Sequence, residues 1–188
     1  MLAINVAMVA GLLTVGLVSH SLGVLASGAD YLGDALGAGI SLAAARLNRR
    51  EDARPRATTL AALANSSLLL IVTLTVAGGA IDRLITGAPA IHGLPVVIVS
   101  VIAAAAMIGC AFILGDVDGD LSMESVMLDT VADAAAAIGV AISGAIILAT
   151  NGTYWLDSLV ALLIAIVVTY HALRLMGRAR TDLRERRR

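Results

Sequence analysis

Residues 96–114 carry no charged side chain, and several other long stretches of the chain are nearly as apolar. A run of that length matches the roughly 20 residues a helix needs to cross the hydrocarbon core of a bilayer. Lipid offers no water to backbone N–H and C=O groups, so a crossing segment must satisfy them internally, as a helix does. Apolar residues make up 59% of the 188 and charged residues only 14%, with mean hydropathy +0.93. That profile excludes an ordinary soluble domain and points to a polytopic membrane protein.

Six spans are expected, over about 1–18, 22–47, 58–81, 96–114, 121–150 and 155–176. The expectation is an all-α bundle of six transmembrane helices forming one domain, 1–188, with no C-terminal cytoplasmic domain after the sixth span. No basic region precedes the first apolar run, so a cleavable signal peptide is not expected. All 13 basic residues are arginine. Arg46, Arg49, Arg50, Arg54 and Arg56 fall between spans two and three. Arg174, Arg178, Arg180, Arg184, Arg186, Arg187 and Arg188 lie at or after the end of span six. Arg83 alone falls on the opposite side. Basic residues favour the cytoplasmic face, so both termini are expected there, in the cell (inner) membrane. Net charge is −1, and nothing suggests a nucleic-acid partner. The single cysteine, Cys110, excludes an intramolecular disulfide.

Against this apolar background two stretches stand out, Ala29-Asp30-Tyr31-Leu32-Gly33-Asp34-Ala35 and Leu128-Asp129-Thr130-Val131-Ala132-Asp133-Ala134. Each holds two aspartates four apart, which places both carboxylates on one helical face with Cβ atoms about 5–6 Å apart. Acids inside a membrane cost several kcal/mol on most scales, so they face protein-lined cavities and mark ion paths. Spans two and five run antiparallel, and each pair lies at a similar fraction of its span, so the pairs can meet at similar depth. Asp30, Asp34, Asp129 and Asp133 are therefore the candidate ligands of one divalent-cation site. Burial and mutual repulsion both favour the neutral acid, so an empty site holds protons that an arriving metal displaces. Coupled to alternating access, that exchange is metal–proton antiport. The all-oxygen donor set suits Mn²⁺ or Fe²⁺ and also accepts Zn²⁺. These ions are cargo, and no cofactor is expected.

These residues resemble the cation diffusion facilitator family of divalent-metal transporters. The likeness runs through Asn5, Ser21-Leu22-Gly23-Val24-Leu25-Ala26, Asp30-x3-Asp34-Ala35 and Leu60-Ala61-Ala62-Leu63-Ala64-Asn65. It is densest at Leu121-Ser122-Met123-Glu124-Ser125-Val126-Met127-Leu128-Asp129, continuing to Ala134, and ends at Trp155-Leu156-Asp157. The resemblance implies six spans, ligands in spans two and five, and efflux of a divalent metal rather than an enzymatic reaction. Many zinc-type members carry His where Asp30 and Asp129 stand, so the chain is similar to the all-aspartate variants. The loop around Arg46 and Arg56 lacks the His and Asp cluster of some members. Without the family's usual cytoplasmic domain, a homodimer would form through the membrane helices, with lipid as the other partner.

Other features carry simpler expectations. Asp116, Asp118 and Asp120 read as a solvated acidic loop, with cation recruitment as the functional alternative. His20, His92 and His171 read as interfacial or packing residues. Asn5, Asn65 and Ser66 divide evenly between lining a pathway and linking helices. Gly33, Gly37 and Gly39 are expected to permit close helix approach. Two rival functions stand beside the transporter. One is an intramembrane aspartyl protease, disfavoured because the Gly-x-Gly-Asp setting is missing. The other is a metal sensor or subunit that binds without transporting.

Overall fold

The computed structural model describes residues 2–47, 55–115 and 121–185; at helix ends near the breaks and at a few other positions, Asp129 among them, it describes the backbone alone. These residues form α1 (Leu2–Ser19), α2 (Leu22–Leu47), α3 (Pro55–Thr86), α4 (Gly93–Gly115), α5 (Leu121–Thr150) and α6 (Trp155–Glu185). The protein is an all-α, polytopic membrane protein. Leu63–Thr86, Gly93–Phe112, Thr130–Thr150 and Trp155–Gly177 are long and apolar enough to cross a bilayer, whereas Val6–Ser19 is a shorter apolar helix. The acid-bearing α2 is not in that set of four.

Helices α3 and α6 run beyond the expected spans, to Thr86 and Glu185. Charged residues such as Asp82 and Arg83 mark where hydrocarbon ends, but a helix satisfies its backbone on either side of that boundary. Helix α3 stops at Gly87, whose φ of +106° suits glycine and whose N–H donates to the Arg83 carbonyl at 3.0 Å.

The most extensive packing joins α4 to α5 and α3 to α6, while α2 touches α1, α3, α5 and α6. Its Leu22, Val24, Ala26, Ala29, Tyr31 and Ala35 are all buried. The outward helices instead expose large apolar side chains, among them Ile102, Phe112, Ile142, Leu163 and Ile166. In water such a surface would be unstable; against acyl chains it is solvated.

The turn from α1 to α2 is built tightly. The N–H of Ser21 donates to the Gly16 carbonyl at 3.0 Å and that of His20 to the Leu17 carbonyl at 3.3 Å. This is the Schellman pattern, with His20 in the left-handed position at φ +57°. Its carbonyl accepts a hydrogen bond from Arg83 Nη1 at 2.6 Å, and the Ser19 carbonyl accepts one from the His92 N–H at 3.4 Å.

Helix α2 then begins with every leading N–H satisfied. Ser21 donates its own N–H backwards as above. The N–H groups of Leu22 and Gly23 donate to Asp157 of α6, at 2.7 Å to Oδ2 and 3.3 Å to Oδ1, and Val24 donates to Ser21 Oγ at 3.1 Å. Ser21 Oγ donates in turn to Asp157 Oδ1 at 2.5 Å. Asp157 is fully buried. A carboxylate at a helix N-terminus meets both the unpaired donors and the positive end of the helix dipole. Hydrogen bonds to a charged group contribute about 1.5–3 kcal/mol each.

A non-glycine residue in the left-handed conformation costs about 1–2 kcal/mol. His20→Gly is therefore expected to raise stability by about 1 kcal/mol, since the Arg83 bond goes to the backbone and survives. Thermal unfolding of the detergent-purified protein reads this directly; a lower melting temperature would mean that the imidazole itself holds the turn.

Candidate ion site

Asp30 and Asp34 lie one turn apart on α2. Asp30 is half-buried and Asp34 exposed. Asp133 of α5 is half-buried, and Asp129 lies one turn before it on the same helix, its side chain outside the described residues. Asp30 and Asp133 line one cavity of about 380 Å³. Its remaining walls come from α5, with Ala132, Ala136 and Gly139, and from α6, with Val160, Ile164, Val167 and His171. Alanine and glycine on α5 leave volume that larger side chains would fill.

The register that brings the two acids together is visible nearer the start of α2. There an ideal Cβ on Gly23 would lie 3.4 Å from Val140 Cγ2 of α5. Two helical turns onward along α2, about 10 Å, comes Asp30, and two turns backward along α5 comes Asp133. The antiparallel pairing of Gly23 with Val140 thus carries Asp30 to Asp133.

The cavity is polar at these acids and at His171, and apolar elsewhere. Among the described residues no three of His, Cys, Asp and Glu form a group that could hold a metal ion, a set without the Asp129 side chain. A second, more open groove of about 450 Å³ between α4 and α5 is lined only by Val, Ile and Ala, and offers an ion nothing.

Asn65 of α3 donates from Nδ2 to the Gly33 carbonyl of α2 at 3.1 Å, so it links helices beside Asp34. Its Oδ1 is buried without a hydrogen-bond partner among the described residues. Of the three glycines expected to allow close approach, Gly33 does so: an added Cβ would stand 2.9 Å from Leu69 Cδ2. Gly37 meets only Asn65 Nδ2 at 4.0 Å, and Gly39 meets nothing within 4 Å among the described residues.

Three residues have roles that the sequence did not announce. Tyr31 is buried, its hydroxyl has no hydrogen-bond partner among the described residues, and its electrostatic neighbours are Asp133, Asp30, Asp34 and Cys110. His171 stands on the cavity wall, at the end of the α6 stripe of Val160, Ile164 and Val167; that helical spacing was the available signal. Asp157 caps α2 from another helix. His20 and His92 are exposed. The loop with Asp116, Asp118 and Asp120 lies outside the described residues.

The Asn65 bond gives a defined expectation. Interhelical hydrogen bonds in membranes average about 0.6 kcal/mol and reach about 1.7. Asn65→Ala should lower stability within that range in a thermal melt; no change would show that the Gly33 contact adds nothing.

The cation efflux transmembrane domain model matches residues 1–183. The chain is also similar to proteins named Zinc transporter ZitB. It is 28% identical over 178 residues to those of Yersinia pseudotuberculosis and Yersinia pestis, covering 90% of this chain and 56% of each relative. The Pectobacterium atrosepticum protein is 29% identical over 178 residues, covering 90% of this chain and 55% of that protein. The chain thus spans a little over half the length of these curated relatives.

Proposed function

The chain belongs to the cation efflux family, the cation diffusion facilitators, and on that premise we propose that it exports a divalent transition metal from the cytoplasm in exchange for protons. A transporter family sets aside the protease: the protein is not an enzyme. The cargo is Zn²⁺, Mn²⁺ or Fe²⁺; the names of the relatives favour zinc, and an all-oxygen donor set extends the range to Mn²⁺ and Fe²⁺. Asp30, Asp34, Asp129 and Asp133 are the proposed ligands and proton carriers.

The observation that carries this reading is the shared cavity. Asp30 from α2 and Asp133 from α5 line one space whose other walls are largely apolar. Two carboxylates there attract a cation strongly, because little water screens them. A divalent cation neutralises the pair, and protons do so in its absence, so metal entry and proton release are linked. Alternating exposure of the cavity to the two faces turns that linkage into antiport.

Uptake of Zn²⁺ and Mn²⁺ into proteoliposomes under a pH gradient tests the reading, for the native protein and for the double variant Asp34→Ala, Asp133→Ala. Gradient-dependent flux that falls to background in the variant is the expected outcome. Binding without flux would make the chain a metal sensor or a subunit. No binding at all would overturn the site.

A further inference from the structure

We propose that Asp157 is a positioning residue for ion binding: by tying the start of α2 to α6 it sets the height and rotation at which Asp30 faces the cavity. The inference rests on reading that cavity as the ion site.

The contacts of Asp157 do more than cap a helix. Ser21 already occupies the capping position of α2 and satisfies the Val24 N–H itself. A carboxylate at position 21 would reach the neighbouring N–H groups in the same way. Instead the carboxylate comes from a residue 136 positions away in sequence. The cap therefore forms only when α6 stands at one height against α2. Capping and register are the same event.

Three helices converge at this point. An ideal Cβ on Gly23 would lie 3.0 Å from Asp157 Oδ1, crowding the α6 carboxylate, and 3.4 Å from Val140 Cγ2, in contact with α5. From that vertex α2 leads to Asp30 and α5 leads to Asp133. On α6, Val160, Ile164, Val167 and His171 follow Asp157 at steps of three and four, on the same face. One face of α6 thus holds α2 at one end and walls the cavity beyond it. If α2 slips by one residue, Asp30 turns by about 100° and shifts by about 1.5 Å. Metal–ligand distances tolerate about 0.2 Å.

The test is Zn²⁺ and Mn²⁺ binding by titration calorimetry to the full chain in detergent, with metal-free thermal melts alongside. Asp157→Ala should weaken binding about 10–100-fold, the range typical of residues that orient ligands. Asp157→Asn keeps an oxygen for the Leu22 N–H and an amide to donate to Ser21 Oγ, and should recover most of the affinity. The double variant Ser21→Asp, Asp157→Ala returns a cap to α2 without a tie to α6. It should recover the melting temperature while binding stays weak. Affinity restored together with melting temperature in that double variant would overturn the proposal, leaving Asp157 as a cap alone. Native affinity in Asp157→Asn and Asp157→Ala alike would overturn it too. Asp30→Asn separates the two readings. If it loses binding while the Asp157 variants do not, only the positioning role falls; if it binds as the native protein does, the ion site falls.

Discussion

Lipid cannot solvate a charge, so the two aspartates of α2 constrain how the surrounding helices can be arranged. Charged side chains at the centre of a bilayer are tolerated where protein or a water-filled cavity surrounds them. Helix α2 packs against α1, α3, α5 and α6, and its Leu22, Val24, Ala26, Ala29, Tyr31 and Ala35 are buried. Asp30 is half-buried in this setting, while Asp34 is exposed. Helices α4, α5 and α6 turn large apolar side chains towards lipid, and Phe112 is 77% exposed.

Enclosure alone does not fix height, and the end of the bundle at the α1–α2 turn supplies what fixes it. Arg83 from α3, His92 from the α3–α4 connection and Asp157 from α6 all bond to the short stretch from Ser19 to Gly23. Several of these bonds go to backbone groups that a helix end leaves without partners, so they could not be lost without exposing unpaired donors or acceptors. The turn is where sequence-distant helices agree on a common register. The residues that do this are polar, yet they serve the arrangement of an apolar bundle.

How much of this was legible depended on whether the cause was local. The existence of the helices followed from apolar runs, and the four-residue spacing put each aspartate pair on one face. The ends of α3 and α6 were not legible, because charge marks the edge of hydrocarbon and not of hydrogen bonding. Asp157 stood in the sequence only as one piece of a family resemblance. In the first turn of α6 an aspartate reads as a residue suited to its own helix dipole. Nothing nearby says that it serves a different helix. His171 read as an interfacial or packing residue because it stands isolated near a span end; the α6 stripe hinted at a shared face, but that this face borders Asp30 and Asp133 depends on how α2 and α5 pack beside it. Gly33, Gly37 and Gly39 looked alike in sequence, and only the position of Leu69 distinguishes the first.

The cavity walls explain why the acids and their counter-ions should move together. Val160, Ile164 and Val167 offer an ion no partner, so along this cavity only Asp30, Asp133 and His171 can meet it. On the proposed reading, the two acids that line the cavity are compensated by a cation or by protons. On the proposed antiport, an ion held there departs as protons take its place, and the apolar residues favour that exchange over simple binding. A more polar wall would bind the same ion and couple it less tightly to protons.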